Sequence, residues 1–320
     1  MIPFNKPWLT GNELGYIAAA HANGRLSGDG PYTERCHKTL KFLTGSSGAL
    51  LTHSCTAALE MCAALAGLEP GDEVIMPSFT FVSTANAVVM RGAVPVFVDI
   101  REDTLNIDEA QIAEAITSRT RAILVMHYAG VGCEMDAILE IARRHHLLVI
   151  EDAAQGIGSR YKGRPLGSIG DLGAISFHET KNIICGEGGC LLINDPQLMH
   201  QAEIIREKGT DRSRFFRGEV DRYTWQAVGS SYLPGELVAA FLLAQLESAR
   251  EITERRLQCW RRYHELLAPL ETEGQLRRPV IPETCDHNGH IYHVLLNRDI
   301  DRESVLDRMR VRGVQAVFHY

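Results

Sequence analysis

The chain has 320 residues and a mass of 35.5 kDa, enough for roughly two domains. Hydrophobic residues make up 45% and charged residues 23%, which excludes disordered, collagen-like and silk-like chains and leaves apolar surface for a large core. With 40 acidic against 33 basic side chains the net charge is −7, and no basic cluster of the kind a nucleic-acid backbone requires stands out. No apolar run approaches the ~20 residues of a membrane span. The opening segment, Met1 to Pro7, lacks the charged-then-apolar layout of a signal peptide. Eight cysteines, at 36, 55, 62, 133, 185, 190, 259 and 285, form no CxxC pair. They read as free thiols in a reducing, cytoplasmic compartment.

In chain order, Cys55 to Leu68 has an Ala/Leu-rich helical pattern behind Ser54. Glu73 to Met76 is a strand that Pro77 stops. Helix (83–91), strand (94–98), helix (108–117), strand (121–126) and helix (135–145) follow. Leu147 to Ile150 is an apolar strand closed by Glu151 and Asp152. Strands at 174–177 and 190–193 come next, then a helix over 196–208. Asp211 to Tyr223 reads as a surface loop, and Glu236 to Leu267 as one long helix that Pro269 ends. Tyr292 to Leu296 is strand-like, Arg302 to Arg312 helical, and 317–320 strand-like, so a second domain looks unfinished. We expect a large domain over 1–245 and a smaller one over 246–320.

Short apolar strands alternating with amphipathic helices predict an α/β fold with a mainly parallel sheet covered on both faces. Ligands in such sheets lie beyond the carboxyl ends of the strands. That rule directs attention to 77–81, Asp99, 127–130, 151–155 and 178–181.

Lys181 follows a strand and precedes glycines at 186, 188 and 189. A lone lysine is ordinarily a surface residue. Here small and apolar neighbours would desolvate the amine, lower its pKa and favour Schiff-base chemistry. Asp152 should project from the sheet edge. It suits either a helix N-cap or the carboxylate that keeps a pyridine nitrogen protonated. Gln155 could reach such a ring or face solvent. Ser54, Cys55 and Thr56 open a helix whose free N–H groups suit a phosphate, although for this stretch alone a plain Ser54 N-cap is the favoured reading. Ser176 offers a further hydroxyl, and Phe81 a flat ring to stack on a cofactor, or one more core aromatic. His178 and Glu179 lack further ligands at metal spacing, so no metal is expected. Gly156 and Gly158 begin a dinucleotide fingerprint that Tyr161 breaks.

Taken together, Glu151 to Gln155, Gly167 to Asp171, Ser176 to Asn182 and Gly186 to Gly189 resemble, in order and spacing, the sugar-nucleotide aminotransferases of the DegT/StrS type. Gly92 to Asp99 and Thr104 to Asp108 fit as well. The resemblance implies the pyridoxal phosphate fold type I and pyridoxal 5'-phosphate as cofactor. By it, Lys181 would carry the cofactor and shuttle the proton, and Asp152 would pair with the ring nitrogen. Gln155 would contact the ring, Phe81 would stack on it, and Thr56, Ser176 and the Cys55 backbone would hold the phosphate.

Ser54 to Leu59 and Gly229 to Leu233 suggest the branch that makes dTDP-4-amino-4,6-dideoxygalactose for enterobacterial common antigen. The implied reaction moves an amino group from L-glutamate to dTDP-4-keto-6-deoxyglucose in a homodimer with shared sites, away from nucleic acid and membrane. Cys55 stands where the family usually has glycine. Ser231 and Leu233 stand where many members have asparagine and arginine, the asparagine reaching the neighbouring subunit's phosphate. Other readings are a different sugar specificity, a family dehydratase (opposed by Lys181), a nicotinamide oxidoreductase, and a non-catalytic cofactor-binding regulator.

Overall fold

A computed structural model describes residues 1–319. Helices α1 (Glu13–Ala22) and α2 (Pro31–Thr44) lead into strand β1 (Gly48–Thr52). Then α3 (Cys55–Leu65), β2 (Glu73–Pro77), α4 (Val82–Val89), β3 (Val94–Val98), α5 (Glu109–Ala115), β4 (Thr120–Met126), α6 (Met135–His145) and β5 (Leu148–Asp152) alternate. A short hairpin, β6 (Arg160–Tyr161) and β7 (Arg164–Pro165), precedes β8 (Leu172–Ser176) and β9 (Gly189–Ile193). Helices α7 (Met199–Arg206), α8 (Arg212–Phe216), α9 (Glu236–Glu247), α10 (Ala249–Leu266) and α11 (Ala268–Thr272) follow. Strands β10 (Leu276–Arg277), β11 (Cys285–Asp286) and β12 (Leu295–Leu296) and helix α12 (Arg302–Val311) complete the described elements.

The central sheet has seven strands in the order β1-β9-β8-β5-β4-β2-β3. Its register is parallel from β8 through β3, and β9 alone runs against its neighbours. Both faces are covered, which is why β2, β8 and β9 read as unbroken apolar runs. Alternate residues serve opposite cores. Ile75, Ile123 and Val125 face the layer with α2, α6 and α9. Val74, Met76, Ala122 and Leu124 face α3, α4 and α7. The expected α/β architecture is therefore present, and each of the eleven elements expected between residues 55 and 208 has its counterpart.

The differences have local causes. The helix expected over 236–267 is two helices, because Ser248 leaves helical geometry at φ −102°, ψ 8°. Pro269 does not simply end it, but opens α11, where a missing N–H costs nothing. The loop at 211–223 contains α8, and the strand expected at 292–296 shrinks to Leu295–Leu296, paired with Leu276–Arg277. Residues 315–319 form no strand, and Tyr320 lies outside the described residues. The first 52 residues carry two helices and the edge strand β1, none of which is among the expected elements.

Glu236 at the start of α9 ties the N-terminal region to the core. Its buried carboxylate accepts the N–H groups of Gly30 (3.1 Å), Tyr32 (2.8 Å) and Thr33 (3.0 Å), and the Thr33 hydroxyl. These are the orphan donors at the start of α2, and the charge meets the positive end of that helix. Glu236→Ala strands them without water and is expected to cost about 2–4 kcal/mol of stability. A urea unfolding midpoint equal to that of the parent protein would refute this.

Candidate active site

Three strand ends and one helix start build the site. Strand β5 ends on Glu151 and Asp152, which alternate across the sheet and so take different tasks. Glu151 accepts the N–H groups of Gly167 (2.8 Å), Ile169 (2.6 Å) and Gly170 (2.6 Å), and faces Nε2 of the fully buried His127 at 2.8 Å. Cys133 N–H reaches the other ring nitrogen of His127 at 3.2 Å, so Nε2 carries the proton that Glu151 accepts. The turn at 167–171 is thus scaffold. A Cβ on Gly170 would lie 2.6 Å from the Val149 carbonyl oxygen, and Asp171 accepts the Val149 N–H at 2.7 Å.

Asp152 faces the other way. Its Oδ2 accepts the hydroxyl of the buried Thr84 at 2.7 Å, and that hydroxyl accepts from Thr80 at 2.8 Å. Its Oδ1 accepts Ala154 N–H at 3.1 Å. Burial pushes the carboxyl above its usual range, against the hydrogen bonds from Thr84 and Ala154 and the charge of Lys181. Among the described residues, no lysine, arginine or histidine nitrogen lies within 4.0 Å of this carboxylate. A buried carboxylate with that environment fits a ligand that brings its own cationic N–H.

Lys181 lies just beyond β8, its backbone N–H bonded to His178 O at 2.9 Å. Burial lowers its pKa, while Cys55 and Asp152 oppose the shift. A larger fraction of the amine is therefore unprotonated and nucleophilic at neutral pH than in a free lysine.

The start of α3 approaches the same place. Ser54 accepts Ala57 N–H at 3.1 Å, and the first intrahelical bond runs from Ala58 N–H to Ser54 O at 3.3 Å. The N–H groups of Cys55 and Thr56 precede that bond and suit an anion. Gly189 of β9 makes the approach possible, since a Cβ there would lie 2.4 Å from the Cys55 nitrogen. Burial, aided by Asp152, keeps the Cys55 thiol protonated. Thr56 shares a 2.8 Å hydrogen bond with Ser83, and Ser176 accepts His178 N–H at 3.3 Å.

The remaining expected residues have these positions. Gln155 is buried, not solvent-facing, and its Oε1 accepts Ala129 N–H at 2.6 Å. Phe81 precedes α4 and is 54% exposed, so it is not a core aromatic. Ser231 is exposed and forms a bridge with Glu207. Among the described residues no cluster of three metal-ligating side chains occurs, and no helix is long and apolar enough to cross a membrane. Thr84 lay outside the expected site, and His127 and Asn182 lay within stretches singled out in the sequence but had no role assigned. Thr84 had one signal, the four-residue step from Thr80 at a helix start.

The family model for DegT/DnrJ/EryC1/StrS aminotransferases matches residues 8–320. The chain belongs to that family. GDP-perosamine synthase of Caulobacter vibrioides is 36% identical over 317 residues, 98% of this chain and 83% of that protein. The aminotransferase TlmJ of Streptoalloteichus hindustanus is 32% identical, with a TM-score of 0.91 over 100% of this chain and 85% of that one. The PMP-form of the sugar aminotransferase Spr1654 of Streptococcus pneumoniae is 25% identical, with a TM-score of 0.91 over 100% of this chain and 86% of that one. This protein is a pyridoxal phosphate-dependent aminotransferase of that family, acting on nucleotide sugars.

Proposed function

We propose that the protein transfers an amino group from L-glutamate to the C4 carbonyl of a nucleotide-linked 4-keto-6-deoxyhexose. The first reading of the acceptor is dTDP-4-keto-6-deoxyglucose, giving dTDP-4-amino-4,6-dideoxygalactose. The observation that carries the proposal is the convergence of a desolvated Lys181, a buried Asp152 with no cationic nitrogen within 4.0 Å among the described residues, and the open first turn of α3. Pyridoxal phosphate, when bound, supplies an electrophilic carbon and a ring that stores an electron pair. Asp152 holds the proton on the ring nitrogen, and Thr84 fixes the direction of that carboxylate. Cys55 N–H, Thr56 and Ser176 bind the phosphate. Lys181 anchors the cofactor, then as a free amine moves a proton to and from the reacting carbon of donor and acceptor in turn. Glutamate leaves as 2-oxoglutarate, and the sugar leaves as the amine.

The working unit in this proposal is a homodimer with shared sites. Support comes from Ser231, exposed where the family places a residue that reaches the next subunit, and from Trp225 and Val228 nearby, 78% and 77% exposed. A second reading, a GDP-linked acceptor, is favoured by the similarity to GDP-perosamine synthase.

The test is incubation of the loaded protein and glutamate with dTDP- and GDP-linked 4-ketosugars, products being read by mass and NMR. An aminosugar from the dTDP substrate supports the first reading, and one from the GDP substrate alone supports the second. No amination of any 4-ketosugar by fully loaded protein would leave a cofactor-binding regulator.

A further inference from the structure

The loop that carries Lys181 is held by residues from far along the chain. Asn182, buried and adjacent to the lysine, donates from Nδ2 to Asn288 O at 3.1 Å. Its Oδ1 lies 2.8 Å from Nδ1 of the buried His290. Because the Asn182 amide nitrogen is already donating, Oδ1 is the acceptor and His290 carries its proton on Nδ1. Asn288, with no exposed surface, donates from Nδ2 to Gln155 O and Ile157 O, both at 2.8 Å, and accepts His290 N–H on Oδ1 at 3.0 Å. One short segment, 288–290, therefore grips both the backbone after Asp152 and the residue after Lys181. Gly130 leaves room for it, since a Cβ there would lie 2.2 Å from Asn288 Oδ1.

We propose that His290 is a positioning residue for Lys181, acting through its Nδ1–H bond to Asn182 to keep the lysine loop closed and the amine out of water. The inference rests on Lys181 being the reactive amine of the proposed reaction. The titratable groups around Lys181 are the Cys55 thiol from α3, the Asp152 carboxylate from β5, and the imidazoles of His290 and His319, both of which the lysine's charge pushes down. His290 is held neutral by burial, then by the charges of Lys181, Arg256 and His319. His290 therefore adds no charge of its own, and what it governs is hydration. Loosening the bond admits water and lets the amine return toward an ordinary lysine.

The experiment uses cofactor-free full-length protein, so that it does not depend on turnover. Competitive acetylation is run across pH, and the Lys181 peptide is followed by mass. In the parent protein the midpoint should lie below that of an ordinary lysine. In His290→Leu it should rise by about one pH unit or more. In His290→Asn, whose amide nitrogen can occupy the Nδ1 position, it should stay near the parent value. If His290→Leu does not fold, Asn182→Ala removes the same bond from the other side and should give the same rise. An unchanged midpoint in folded His290→Leu, or an equal rise in His290→Asn, overturns the proposal. Borohydride fixation of the cofactor on Lys181 in the parent protein separately tests the lysine's role, so the two failures are distinguishable.

Discussion

Lys181→Ala is expected to reduce transamination roughly ten-thousand-fold, the upper range for loss of a positioned proton-transfer group. It should also abolish covalent retention of the cofactor after borohydride treatment. The expectation follows from placement. The lysine lies beyond β8, close enough to Asp152 and to the Cys55 side chain at the α3 start for both to act electrostatically on its amine. Mass mapping of the reduced protein and turnover with glutamate check both parts. Cofactor still fixed in the variant, or activity within tenfold of the parent, would remove Lys181 from the mechanism.

Asp152→Asn is expected to slow the reaction roughly a hundred- to thousand-fold, as for loss of one preorganised electrostatic contact. The amide preserves volume and can still bond Thr84 and Ala154, so the fold should survive. What it loses is the ability to hold a proton on a ring nitrogen. A pH signature accompanies this change. Burial raises the Asp152 carboxyl in the cofactor-free protein, so as pH falls it takes up a proton earlier than an ordinary carboxyl. The protonated form cannot pair with a cationic ring. Cofactor affinity should therefore weaken on the acid side in the parent protein, and this acid-side loss should be missing in Asp152→Asn. Fluorescence titration with pyridoxal phosphate across pH reads it directly. An acid-side loss of equal size in the variant would assign the effect to another group.

How much of this was legible in the sequence differs by region. Between residues 55 and 208 the sheet strands other than the edge strand β3 are covered on both faces, so apolar runs and turn residues mark them cleanly. The first 52 residues give no such signal. α2 is held by Glu236, some two hundred positions away, and no local pattern announces that bond. The break at Ser248 is likewise invisible to a helical periodicity that continues across it.

At the site, Lys181, Asp152 and the Cys55–Thr56 pair stood out because their residue types suit a definite chemistry at strand ends. The segment from Gly167 to Asp171 matched the family equally well for a different reason. Its glycines and Asp171 pack against β5, and Glu151 gathers its N–H groups. Motif strength therefore reports scaffold as readily as catalysis. Thr84, Asn182, Asn288 and His290 were missed because each works through a partner that only the folded chain brings near.

The alternation of Glu151 and Asp152 along β5 has an effect on how the protein tolerates its ligand. Two acidic groups one residue apart would ordinarily disturb each other whenever one gains or loses a counter-charge. Here the sheet stands between them, and Glu151 is already satisfied by three N–H groups and His127. In the proposed reaction, loading and unloading the cofactor would alter the charge balance on one side of the strand while Glu151 on the other side keeps its hydrogen-bond partners. The same strand can serve as a switchable contact and as a fixed anchor through every catalytic cycle.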